Sequence, residues 1–211
     1  IVSGPRNKVL PTNPFNLEKI RAADVDVRFR GDEIITEDLP IEEMDAHLVI
    51  QDGMLKLAPL DFKTAGGHLV TAITMDGRGP HIVTHADITA KRLHLDQLLP
   101  ASKLPANQGI IGGRAKLDAA GDSISQMMGT ANGEAALIMD GGTISELTLR
   151  KANVDIANSF LVLLRGDKNV PIRCMVANFK AVGGDFKVQD LVLDTPKVNI
   201  IGDGTVNSVD E

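Results

Sequence analysis

Apolar and polar side chains alternate along much of this chain in short runs. Val25, Val27 and Phe29 are separated by Asp26, Arg28 and Arg30. The same period of two recurs in Ala46, Leu48 and Ile50; in Leu69, Thr71, Ile73 and Met75; in Ile82, Thr84, Ala86 and Ile88; and in Ile111, Gly113, Ala115 and Leu117. Successive side chains of a strand point to opposite faces, so each run predicts a strand with one apolar face. Between the runs stand Asp52-Gly53, Gly66-Gly67, Asp76-Gly77, Asp140-Gly141 and Gly183-Gly184. Their glycines supply the positive φ of tight turns and predict antiparallel hairpins.

A few short helices interrupt the strands. Asn16 is placed to cap a helix over Leu17 to Ala23, with Phe15 and Ile20 as a hydrophobic staple. Ser123 and Gln126 have capping-box spacing, and Gly129 predicts the end of that helix. Ile156, Phe160 and Leu163/Leu164 recur at helical spacing between Lys151 and Leu164, before Gly166. These read as amphipathic plugs or caps for a sheet.

Sliding the chain along itself aligns the strand pair around Gly53 with the pair around Gly184, 131 residues on. Leu48 meets Phe179, Leu55 meets Phe186, Leu57 meets Val188, Leu60 meets Leu191 and Phe62 meets Leu193. At a shift of 110, Val25 meets Ala135, Val27 meets Leu137, Phe29 meets Met139, Gly31 meets Gly141 and Ile34 meets Ile144. Each copy follows a short helix. The expectation is a mainly β chain with a few short amphipathic helices: one elongated repeat-built domain, with repeat units at 15–118 and 122–211. Its start at Ile1 and its stop in mid-pattern lead us to expect a segment of a longer protein.

Composition narrows the functions open to such a sheet. A net charge of −6, with the 22 basic residues scattered among acids, argues against a grip on nucleic acid or an anionic membrane surface. With 3% aromatic residues and neither Trp nor Tyr, stacking platforms for sugars and bases are missing. One cysteine excludes an internal disulfide and a cysteine-based zinc site. The longest apolar run, Phe160 to Leu164, is far short of the roughly 20 residues that span a bilayer.

No set of residues reads as catalytic or metal-binding, and no cofactor is expected. His81 and His85 lie four apart on what reads as a strand, too far to share one ion. His47, His68 and His94 stand alone, and local hydrogen bonding accounts for all five. Glu42/Glu43 and Asp24/Asp26 read as helix-start or solvated strand carboxylates, without the desolvation an acid–base pair needs. Cys174 alternates with Ile172 and Val176 and reads as a small buried residue. Gly109 to Gly113 lacks the Lys and the following helix of a phosphate loop; its glycines fit a strand approached closely by another backbone. A single sheet with so few helices leaves its apolar face short of a second layer, so something apolar should cover it.

Four stretches, "LPTNPFNLEKIRAADVDVRFRG", "LPIEEMDAHLVIQDGMLKLAPLDFKTAGG", "KRLHLDQLLP" and "VPIRCMVANFKAVGGDFKVQDLVLDT", cover nearly the whole chain. They resemble the carboxyl-terminal region of the AsmA family of bacterial envelope proteins. The resemblance implies a twisted antiparallel sheet of repeated hairpins curling into a groove, similar to the bridge-like lipid-transfer proteins. It also implies a periplasmic location on the inner membrane, with a transmembrane anchor outside this segment, and a role in lipid transport for outer-membrane biogenesis. No catalytic residue is carried over.

On that reading, Leu48, Ile50, Leu55, Leu57, Leu69, Ile73, Met75, Leu137, Met139, Phe186 and Val188 line a groove for phospholipid acyl chains. The competing reading is a scaffold or interaction module for envelope assembly, with a closed core, no lipid ligand and envelope proteins as partners. A hydrolase or transferase would need a deep polar pocket holding a perturbed histidine or carboxylate. Exposed strand edges are expected to make the segment self-associate.

Overall fold

In the computed structural model, residues 10–22, 24–35, 39–98, 109–145 and 169–208 are described. The chain is mostly strand. Helix α1 (Leu17–Ala22) leads into β1 (Val25–Ile34), β2 (Ile41–Gln51), β3 (Met54–Thr64), β4 (Gly67–Asp76) and β5 (Val83–His94). After α2 (Leu95–Leu98) come β6 (Ile110–Ala120), α3 (Ile124–Thr130), β7 (Asn132–Asp140), β8 (Thr143–Ser145) and β9 (Asn169–Pro171). The last strands are β10 (Cys174–Val182), β11 (Asp185–Asp194), β12 (Asn199–Ile201) and β13 (Thr205–Asn207).

Eleven strands form one open antiparallel sheet, ordered β1 to β7, then β10, β11 and β12, with β13 also pairing β11. Strand β1 is one edge. Among the described residues, strands β8 and β9 pair only with each other. Residues opposite one another share a face, so register assigns every side chain to one side of the sheet. One side carries most of the apolar residues. The other carries cross-strand ion pairs such as Arg30 with Asp45, Lys63 with Glu43 and Lys116 with Asp87.

The alternation holds across the sheet only because bulges correct its phase. In β3, Leu57 stands opposite Ile73 but Leu60 stands opposite Thr71, so Ala58 and Pro59 together face one residue of β4. Pro59 lacks the N–H a ladder needs, which suits it to a bulge. Leu60 and Phe62 thereby rejoin the face of Leu55 and Leu57. In β5, Ala90 and Leu93 flank a second bulge at Lys91 and Arg92.

The β2–β3 and β10–β11 hairpins have matching registers at the 131-residue offset. Leu48 faces Leu57 as Phe179 faces Val188, and Ala46 faces Leu60 as Ala177 faces Leu191. Both carry a register shift at the same place. The β1 and β7 pairings agree with each other only to within two residues of the 110 offset. Leu48 faces Val27, whereas its counterpart Phe179 faces Ala135. A two-residue slip preserves the face.

Helices α1 and α3 sit at one end of the sheet. Asn16 Oδ1 accepts the Lys19 N–H at 3.0 Å, and Ser123 Oγ accepts the Gln126 N–H at 3.2 Å, as the spacing predicts. Gln126 reaches one residue further back than a capping box requires, accepting the Asp122 N–H at 2.8 Å. Gly129 does not end α3, which runs to Thr130 and closes with the Ala131 N–H on the Met128 carbonyl. Asp140-Gly141 is not a hairpin either: the chain leaves the main sheet there, because β8 pairs β9. Asp76-Gly77 opens a longer loop to β5. The helix expected over 151–164 lies outside the described residues.

Gly183 and Gly184 both have positive φ, +57° and +84°, but their surroundings differ. A Cβ on Gly184 would strike the Gly129 backbone, whereas one on Gly183 would meet nothing within 4 Å. Gly184→Ala should cost about 1–3 kcal/mol from backbone strain, plus the clash. Gly183→Asn should be close to neutral, since Asn tolerates this conformation. Urea unfolding followed by circular dichroism separates the two; equal losses would show that the contact with α3 does not hold the hairpin.

Candidate functional site

The site grows from rows of residues running across the strands. One row joins Phe29, Ala46, Leu60, Thr71, Ile88 and Ala115, and continues through Ala135, Phe179 and Val188. Across nine strands its only polar side chain is Thr71. The eleven lining residues expected from sequence all fall on this face, spread over five successive rows. Ile50, Leu55 and Met75 form the row nearest α1 and α3. Leu48, Leu57 and Ile73 share the next, which reaches Phe186 through Ala181. Val188 belongs to the Phe29 row, Leu69 and Leu137 to the one after it, and Met139 to the last.

Sequence reasoning left Phe29, Leu60, Phe62, Ile88, Phe179 and Leu191 out of that set, and the structure adds them. For Leu60 and Phe62 the alternation phase changes at Ala58-Pro59; that proline was the available signal.

Both ends of the face are closed by packed clusters. At one end Ile20 of α1, Met127 of α3 and Ile82 enclose Met75, with Leu17, Ile50, Leu55 and Ile73 against them. At the other, Met139, Val170, Ile172 and Leu193 form a core with Leu95, Ile111 and Met175. Between these ends the described helices make no cover: α1 contacts β3, α2 contacts β5 and α3 contacts β6. Most of the intervening Leu, Ile and Phe side chains are half-buried, and Phe29 at the β1 edge is 46% exposed. Thr71 and Ala177 are 5% and 2% exposed, which fits a sheet curled over its own face. The result is an apolar trough stopped at both ends.

The opposite face holds the histidines, each beside an aspartate except His94. His47 Nε2 lies 2.8 Å from Asp26, and His81 Nδ1 lies 2.9 Å from Asp122. His68 pairs with Asp61 and His85 with Asp118. His81 precedes β5 and does not belong to it. Glu42 and Glu43 lie at a bulge in β2, not at a helix start, and Glu43 reaches Lys63 Nζ at 2.6 Å. Among the described residues no three His, Cys, Asp or Glu side chains are grouped to hold a metal ion.

Cys174 is a correction. It is exposed, on the polar face opposite Asp140 and Asp194. Ile172 is buried but precedes β10, whose inward residues are Met175, Ala177 and Phe179, so the apparent alternation 172, 174, 176 crosses a change of phase. Gly113 behaves as read: a Cβ there would sit 2.6 Å from the Ala136 carbonyl oxygen of the neighbouring strand. The polar face is not wholly polar. Gly112, Ile138, Val176, Val192 and Ile201 form an apolar row across it, with Ile138 54% and Ile201 81% exposed.

The family model described as AsmA family matches residues 3–191. The chain belongs to the AsmA family. A relative described as "AsmA family protein YhjG", from Escherichia coli strain K12, is 32% identical over 209 residues, 98% of this chain and 30% of the relative. The chain thus spans less than a third of that relative's length. No solved structure matches it. Among the described residues no helix is long and apolar enough to cross a membrane.

Two carboxylates brace the loop at the α1/α3 end. Asp76 accepts from Arg78 Nη2 at 2.6 Å, Nε at 2.9 Å and its backbone N–H at 3.1 Å. These bonds pull its pKa from 3.8 to about 2. His81 and the Ile82 N–H hold Asp122 below its ordinary value as well. A depressed carboxylate favours the folded state above its unfolded pKa, and that preference is lost as pH falls toward the folded one. The end cap should therefore loosen as pH drops from 3.8 to about 2. Amide exchange at 77–82 should rise over that window in the native chain, and Asp76→Asn should flatten the rise; an unchanged profile would remove Asp76 from this role.

Proposed function

We propose that the trough shields phospholipid acyl chains within a bacterial envelope protein, as part of lipid transport in outer-membrane biogenesis. The carrying observation is the continuous apolar face, stopped at both ends and with no described helix over its middle, in a chain of the AsmA family. Leucine, isoleucine, phenylalanine and methionine offer contact without directional hydrogen bonds, which suits a chain that slides. Each methylene taken from water contributes about 0.8 kcal/mol, so a partly covered acyl tail can offset the cost of ordering it. On this reading the protein is a carrier and no side chain reacts. Its place is the periplasm beside the inner membrane, with the anchor outside this segment. The matched hairpin registers support reading it as two copies of one helix-and-hairpin unit.

A second reading rests on the apolar row of Ile138, Val176 and Ile201 on the outer face, which a protein partner of the envelope could cover. Lipid content separates the two. Solvent extraction of the purified chain followed by mass spectrometry should recover phospholipid. Leu57→Asp with Val188→Asp, in the middle of the trough, should lower it severalfold without unfolding the sheet. Chain repeatedly free of lipid, with protein partners lost on Ile138→Asp, would favour the second reading.

The long edge strand β1 leaves one side of its backbone unpaired within the sheet, and such edges pair with other chains. Light scattering over a dilution series should show association that falls with concentration; monomer throughout would overturn edge pairing.

A further inference from the structure

We infer that the sheet carries a phosphate-binding hollow at its β3–β4 hairpin end, on the polar side and separate from the trough. A hollow of about 560 Å³ lies between the start of β2, the hairpin tip Thr64 to Gly67, and the β5 bulge at Lys91 and Arg92. Register places Lys63, His68 and Lys91 side by side, each opposite the next. The bulge then adds a neighbour. Because Ala90 and Leu93 both face the trough, Lys91 and Arg92 both fall on the other side, two consecutive cations where regular alternation would place one.

Their surroundings leave these cations free for a ligand. Lys63 is engaged by Glu43 and His68 by Asp61, but among the described residues neither Lys91 nor Arg92 has an acidic partner. Lys63, Lys91 and Arg92 line the hollow with the carboxylate Glu42, and of these three cations Lys63 alone is held by an acid, Glu43.

The backbone supports the arrangement. Arg92 has φ of +56°, a conformation disfavoured for a residue with a Cβ, of the kind that collects at binding sites. Gly67 packs on it so closely that a Cβ would lie 2.6 Å from the Arg92 carbonyl carbon. A Cβ on Gly66 would meet the His94 ring at 2.9 Å. The two glycines keep the tip bare and pressed against the bulge. A planar guanidinium grips two oxygens of a phosphate as a fork, and the adjacent ammonium adds a point charge. Free phosphate and a phospholipid head group share that chemistry.

Two titrations of the native chain test the inference. Sodium phosphate followed by ¹H–¹⁵N spectra should shift the amides of residues 65–68 and 91–94 saturably. Vesicles of phosphatidylcholine with phosphatidylglycerol, against phosphatidylcholine alone, show whether head groups are also taken. Lys91→Gln with Arg92→Asn keeps a residue that accepts positive φ and should weaken phosphate binding roughly tenfold, the scale of a lost charge-assisted hydrogen bond. Arg114→Gln with Lys116→Gln, on the same face, removes equal charge elsewhere and should leave it unchanged. Shifts with phosphate and no added vesicle binding assign free phosphate; shifts with both assign a head group. No saturable response to either probe, or equal weakening by the two double variants, overturns the site. The trough is judged by lipid extraction, so either can fail alone.

Discussion

An apolar face over which the described residues lay no second layer is the constraint from which the rest of this molecule follows. A strand buries half of its side chains only if something lies against them, and most folds supply a facing sheet or a layer of helices. Here the described helices are short and stand at the ends. Curling brings neighbouring rows against one another, which accounts for half-buried leucines in the middle and for Thr71 being nearly inaccessible.

Keeping eleven strands in one phase is the second requirement, and the bulges meet it. A strictly alternating β3 would send Leu60 and Phe62 to the charged side, leaving a gap in two rows of the trough. The shift at Ala58-Pro59 prevents this. The bulge in β5 restores Leu93 to the apolar face, and in doing so sets Lys91 and Arg92 together on the polar one. One local irregularity thus serves both faces.

On that polar face several charges are matched across strands in opposite-sign pairs, such as Arg30 with Asp45 and Lys116 with Asp87, although Glu33 faces Glu42 and Lys180 faces Lys187. Exposed pairs contribute little singly, about 0–1 kcal/mol each. Their value lies in register, since a slip by one residue would bury them in the trough. The same face carries Lys91 and Arg92 together at the β5 bulge and the apolar row through Ile138 and Val176.

The alternation of residues along the chain was enough to identify the strands, the tight turns at Gly53, Gly66 and Gly184, the caps at Asn16 and Ser123, and a face containing Leu48, Leu57 and Phe186. Those features depend on near neighbours: a turn needs its glycine, a cap its oxygen, and a strand shows its two faces within a few residues. Other outcomes required partners remote in sequence. Cys174 reads as buried until β10 is seen to begin at it, and Asp140-Gly141 reads as a hairpin until β7 is seen to pair with β10 instead. The inward turn of Leu60 and the meeting of Lys63, Lys91 and Arg92 are likewise set by register between strands. Sequence by itself determined which residues could share a face. Tertiary structure decided which do, because a row across a sheet is fixed by hydrogen-bond pairing between strands and by the bulges that reset it.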